Sequence, residues 1–291
     1  MINLIKRNVT IYFANRTAVF FSLLASLISF ILYILFLKNN MQQSFQHIPD
    51  TTKLLDPWLI GGTLSVTGLT SIGTVLSQLV ADRESHRLDD LAMTDLSQLQ
   101  IQSAYLVGAV FVGTFNQIVV YLVMSLYFQL VDGISVDWSQ SGSVLLIALF
   151  SSLVWTAFNL IVYTTIQRQA TISTVSSIIS TISGFFAGVY VPISVMPSVA
   201  QTVMKFTPTP YVSAAFRDVI MHQQLKKSFQ HLSTSQLNDF RLAMGIDLKV
   251  NGTQLNMAQM VLILGGFLFL FVVWLLVSNY FRTKEGIKRA S

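Results

Sequence analysis

Six stretches of about twenty apolar residues, none with a charge inside it, constrain this chain more than any other feature of its sequence. A helix rising about 1.5 Å per residue needs about 20 residues to cross a hydrocarbon core about 30 Å thick. The stretches cover residues 17–37, 58–81, 101–130, 143–166, 171–191 and 257–280. They predict an all-α integral membrane protein, a single membrane domain over residues 1–291 with six transmembrane helices and both termini on one side. Composition excludes the soluble alternative: 53% of the residues are hydrophobic and only 11% are charged, far below the charge a soluble domain carries on its surface.

The first stretch could pass for a signal peptide, because Lys6, Arg7 and Arg16 precede it. Its apolar run is too long, and Lys38-Asn39-Asn40 follows in place of a small-residue cleavage site, so a retained span is expected. Direction follows from the basic residues. Lys6, Arg7, Arg16, Arg83, Arg87, Arg168, Arg282, Lys284, Lys288 and Arg289 fall in short segments on one side, against Lys38 and Lys53 in the first loop of the other, none at 131–142, and six in the long stretch before the last span, where charge counts for less. That bias predicts cytoplasmic termini. It also accounts for the net charge of +5, and no basic patch interleaved with aromatics suggests nucleic acid.

Residues 1–16 place Ile2, Ile5, Val9, Tyr12 and Phe13 on one helical face and Asn3, Lys6, Arg7 and Thr10 on the other. They read as an interface helix or as the ordinary positive flank of a first span.

What the stretches lack narrows the function. Every Asp, Glu and His can be placed outside them, which disfavours proton-driven transport and intramembrane proteolysis. His47, His86, His222 and His231 stand apart from one another and suggest no metal site, and the absence of cysteine excludes thiolate chemistry. No paired acid and base suggests an enzyme. No G-x-x-x-x-G-K-[ST] loop is present, so uphill movement would need a separate nucleotide-binding partner, and no cofactor is expected on this chain.

Polar uncharged residues do enter the stretches: Asn116 and Gln117, Asn159, and a Ser/Thr series from Thr171 to Ser183 that includes Ser180. Helix packing explains such residues, and contact with a passing substrate explains them too. With Gly184 and Gly188 in G-x-x-x-G spacing, the fifth stretch is the expected dimer or pathway face, together with Asn116 and Asn159.

Two connecting segments complete the pattern. Residues 82–100 hold the densest charge, and Leu88, Leu91 and Ala92 at helical spacing predict a short surface helix. Pro192, Pro197, Pro208 and Pro210 interrupt the exit from the fifth stretch. Val199, Val203 and Phe206 form one short apolar face, and Thr209 as N-cap with Pro210 starts a second helix, so two short helices are expected to dip into the outer leaflet. The rest of 192–256 reads as external, with a helix from Ser233 to Met244 and a tight turn near Asn251, whose glycosylation sequon reads as a chance match.

The Asp82-Arg83-Glu84 segment running to Leu96-Ser97, the Gly188–Pro197 stretch, and Pro210-Tyr211 followed by Phe216-Arg217 resemble the permease subunits of ABC-2 type transporters, most of all the bacterial drug-export branch. The resemblance covers nearly the whole chain. It departs at His86, where the family has Gly, and at Asp95, where it has Pro.

The resemblance implies an exporter permease in a bacterial plasma membrane, surrounded by lipid, moving an amphiphilic substrate such as a drug, peptide or lipid-linked molecule. ATPase subunits would bind ATP and Mg, and a second copy or a homologous permease would complete the path. Asp82, Arg83, Glu84, Arg87, Leu88 and Leu91 would couple to the ATPase, together with the N-terminal helix. Pro192, Pro197, Pro208 and Pro210 would form a re-entrant outer gate. A peptide-sensing or immunity protein without net transport is the alternative.

Overall fold

The computed structural model describes residues 1–45, 48–134, 136–250 and 252–290, which leaves His47 and Asn251 outside the described residues. Those residues are almost entirely helical. Five helical segments are long and apolar enough to cross a membrane: Arg16–Ser44, Thr51–Glu84, Leu99–Asp132, Trp138–Thr165 and Met257–Ser278.

In chain order the helices are α1 (Ile2–Ala14), α2 (Arg16–Leu32), α3 (Lys38–Ser44), α4 (Thr51–Glu84), α5 (Arg87–Ala92), α6 (Gln98–Asp132), α7 (Ser141–Thr165), α8 (Gln169–Phe186), α9 (Ser198–Met204), α10 (Thr209–Ser228), α11 (Thr234–Ala243) and α12 (Met257–Ala290). A π-helical turn at Tyr33–Leu37 joins α2 to α3, so that segment outruns the expected 17–37. Between α11 and α12, β1 (Lys249–Val250) pairs antiparallel with β2 (Thr253–Gln254).

The fifth predicted stretch differs most from expectation. Its helix, α8, has 18 residues and stops at Phe186, well short of residue 191. Eight hydroxylated side chains lower its hydropathy, so it is not among the five. It nonetheless runs antiparallel beside α4. Gln169 N donates to Glu84 Oε2 (2.9 Å) at one end, and Ala187 O lies against Gly62 at the other. Those contacts lie about 33 Å apart along α4 at 1.5 Å per residue.

α4 is the central helix, touching α1, α2, α6, α7, α8 and α10. Every residue from Leu54 to Leu69 is buried, so it is hidden all round and not on one stripe. Its glycines make this possible. A β-carbon on Gly61 would lie 2.7 Å from Arg217 Cγ, and one on Gly62 would lie 2.7 Å from Arg217 Nη2.

Local signals fix several boundaries. Ser97 and Gln100 form a reciprocal capping box at the start of α6, as do Ser233 and Gln236 at α11. The second helix expected after the prolines is 20 residues long and not short, and Pro208, not Thr209, occupies its N-cap position.

α4 also outruns the expected 58–81 at both ends, which corrects the placing of every acid outside the spans. It begins at Thr51 and ends at Glu84, so it takes in Asp56 and Asp82 and buries both completely. Tyr33 Oη donates to Asp56 Oδ1 (2.5 Å), and Lys38 Nζ lies 3.3 Å from Asp56 Oδ2 and 2.8 Å from Asp132 Oδ2. Buried carboxylates persist because each has a cation and a hydrogen-bond donor.

Candidate functional site

Between α2, α4, α7 and α8 lies a cleft of about 530 Å³. No charged residue lines it. Its walls are apolar residues such as Phe21, Ile28 and Leu69, and hydroxyls and amides such as Thr74, Asn159, Ser177 and Ser180. Small residues on α8 and α4 leave this space, and α2 closes it by packing on α4 through a Ser26–Thr67 hydrogen bond of 2.5 Å.

The expected pathway residues separate here. Asn159 and Ser180 line the cleft. Asn116 is buried elsewhere, where its Nδ2 donates to Tyr12 Oη (2.6 Å) and Ser71 Oγ (2.9 Å) and ties α6 to α1 and α4. Gly184 faces its own chain: a β-carbon there would lie 2.2 Å from the Tyr190 ring. Gly188 lies beyond the end of α8 at φ +65°, a turn conformation that glycine permits.

At the Glu84 end of α4, Asp82 is fully buried and holds α1 to the bundle. Arg7 donates to both its carboxylate oxygens (2.8 and 3.0 Å), Tyr105 Oη to one of them (2.5 Å) and Gln78 to the other (2.8 Å). The hydrogen bond to Asp82 raises the Arg7 guanidinium above its ordinary value, although burial opposes this. Arg83 donates to Ile166 O (3.1 Å), and Glu84 caps α8 through Gln169 N. Thus Asp82, Arg83 and Glu84 bind α1, the α7–α8 link and α8. On α5, Arg87 is exposed and 3.8 Å from Asp82, while Leu88 and Leu91 are half-buried.

At the opposite end of α4, Arg217 on α10 is fully buried. Nε donates to Trp58 O (3.2 Å), Nη1 to Met244 O (3.3 Å) and Gly245 O (3.4 Å), and Nη2 to Ala187 O (2.7 Å) and Gly188 O (3.3 Å). Every guanidinium N–H therefore meets a backbone carbonyl. The cation also stacks on the Trp58 ring, 4.6 Å from its centroid.

Ala187 and Met244 are the C-cap residues of α8 and α11. Each helix C-terminus carries roughly half a negative charge, so two of them balance about one cation. Burial pushes the guanidinium down to about 9, which leaves it protonated at neutral pH. The sequence did carry a signal for this: one arginine amid Val212, Ala214, Ala215 and Phe216.

The proline segment touches this cage through Ile193, which lies beside Gly188 and Gly245. Pro192 precedes a one-turn 3-10 helix at Ile193–Val195, Pro197 precedes α9, and Pro208 and Pro210 begin α10. Thr209 O lies 3.3 Å from Ser65 Oγ, about a turn further along α4 than Gly62, so the chain turns back along α4 before α10 runs out again. Beyond it, Arg241 binds Asp218 (2.5 Å) and Asp247 (2.7 Å). Burial opposes the charge of Arg241, but hydrogen bonds to Asp247 and Asp218 outweigh it and hold the guanidinium above its ordinary value.

No group of metal-ligating side chains occurs among the described residues. A comparison with protein families matches residues 1–221 to the ABC-2 type transporter model. No curated protein matches the chain.

Proposed function

Since the chain belongs to the ABC-2 type transporter family, and is thus a multi-pass membrane permease component of an ABC transporter that works with ATP-binding subunits, we propose that it is an export permease whose path runs through the α4–α8 cleft. The observation that carries this is the uncharged cleft of about 530 Å³ between four helices, large enough for part of an amphiphile. The chain itself does no covalent chemistry, and ATP and Mg are held by the partner.

The proposed division of labour follows α4. Its Asp82 end, with α1 and α5, faces the cytoplasm and receives the ATPase. Its Arg217 end, with the proline segment, is the outer gate. α8 is the sixth crossing, and the hydroxyls it leaves exposed within the chain support contact with a second permease copy across the path. The bias of basic residues supports cytoplasmic termini in a bacterial plasma membrane.

The test is reconstitution with the ATP-binding subunit that co-purifies with the chain. ATPase turnover that depends on the permease, with ATP-driven accumulation of an amphiphilic dye in inverted vesicles, is expected. Turnover without accumulation of any dye would move the chain to the sensing class.

A further inference from the structure

Most of the hydroxyl protons around the cleft are already committed. Thr70 donates to Ser22 O and Val66 O, Thr74 to Thr70 O, Ser77 to Thr74 O, Ser173 to Gln169 O, Ser177 to Ser173 O and Thr181 to Ser177 O. A carbonyl cannot be the donor, so each of these oxygens offers the cleft only lone pairs.

Asn159, which is 2% exposed, adds another acceptor. Its Nδ2 donates to Trp155 O (2.9 Å) and Leu69 O (3.4 Å), which fixes the orientation of the amide. Its Oδ1 accepts no hydrogen bond among the described residues and faces Gly73, where a β-carbon would lie 3.2 Å away. Gln169 Oε1 is also buried without a partner. Free donors are fewer: Ser180, Tyr190, the Gln169 amide nitrogen and one hydroxyl of the Tyr163–Ser176 pair. The partial positive charge at the start of α8 is met by Glu84 before it reaches the cleft.

From these acceptors we infer that the cleft selects amphiphiles that donate hydrogen bonds, above all lipophilic amines in their ammonium form, and rejects carboxylates. Neutral oxygens in a low-dielectric space stabilise a cation as the carbonyls of a selectivity filter do, with no acid required. A carboxylate would meet them lone pair to lone pair and leave its own acceptors unpaired. The inference rests on the cleft being the path.

The experiment uses the full chain in phosphatidylcholine nanodiscs and one dansyl-alkyl chain ending in ammonium, hydroxyl or carboxylate. Fluorescence titration is expected to rank the ammonium probe at least about tenfold above the carboxylate probe. Ser177→Ala with Thr181→Val, at exposed positions whose loss leaves the melting temperature unchanged, should shrink that ratio severalfold. Equal affinities, or a ratio that the double variant does not move, would overturn the selectivity.

A separate arm tests the path. The probes should protect a Ser177→Cys chain, otherwise free of cysteine, from maleimide labelling. Equal protection by all probes keeps the path and overturns the selectivity. No protection by any probe, with the labelled complex still exporting, overturns the path and this inference with it.

Discussion

At the scale of single residues, two charges with opposite kinds of partner hold the two ends of α4. Asp82 is a carboxylate held by side chains, and Arg217 is a cation held by backbone carbonyls. Replacing Arg217 with Gln leaves carbonyls of two helix ends without donors, at a cost of about 3 kcal/mol. Lysine does not rescue it, because an ammonium lacks the planar fork that reaches both helix ends. Both variants should melt earlier in detergent, and limited proteolysis should cut near residues 230–256 before the rest of the chain. Asp82→Asn weakens the Arg7 contact by about 2 kcal/mol. The expected result is normal membrane insertion, faster trypsin cleavage within α1, and loss of stimulation of the ATP-binding subunit.

At the scale of elements, α8 separates what composition reveals from what only packing decides. Five helices long and apolar enough to cross a membrane, and the capping boxes of α6 and α11, are legible in the sequence because hydropathy and Ser-x-x-Gln spacing are local properties. The end of α8 is not. Residues 187–191 are as apolar as a helix, but Gly188 at φ +65° and the pull of Arg217 on two carbonyls end it early. The burial of Asp56 and Asp82 was equally hidden, since it depends on Lys38, Tyr33, Arg7 and Tyr105 arriving from other helices. Of the candidate site, Asn159 and Ser180 are legible as polar residues in apolar runs, while Arg217 enters the sequence reading only through the Phe216-Arg217 pair of the family resemblance. Cysteine substitutions along α8 test its faces. Those at 173, 177 and 181 should react with a maleimide several times faster than those at 172 and 183, which are buried.

At the scale of the whole molecule, the absence of cysteine makes its orientation directly measurable. Gln43→Cys and Met93→Cys lie on exposed segments at opposite ends of the bundle. In intact cells an impermeant maleimide should label the first and spare the second, and the reverse pattern would invert the proposed direction of transport.

The carbonyl cage around Arg217 carries a consequence of another kind. A latch closed by a carboxylate or a histidine has an acidity at which it lets go, whereas amide oxygens have none within about pH 5 to 8. The Arg217 cage at this end of α4 is thus a joint blind to the acidity of its surroundings. In the proposed export cycle, what releases this cage is a movement of α4, α8 or α10 and not a change of pH acting on the cage itself.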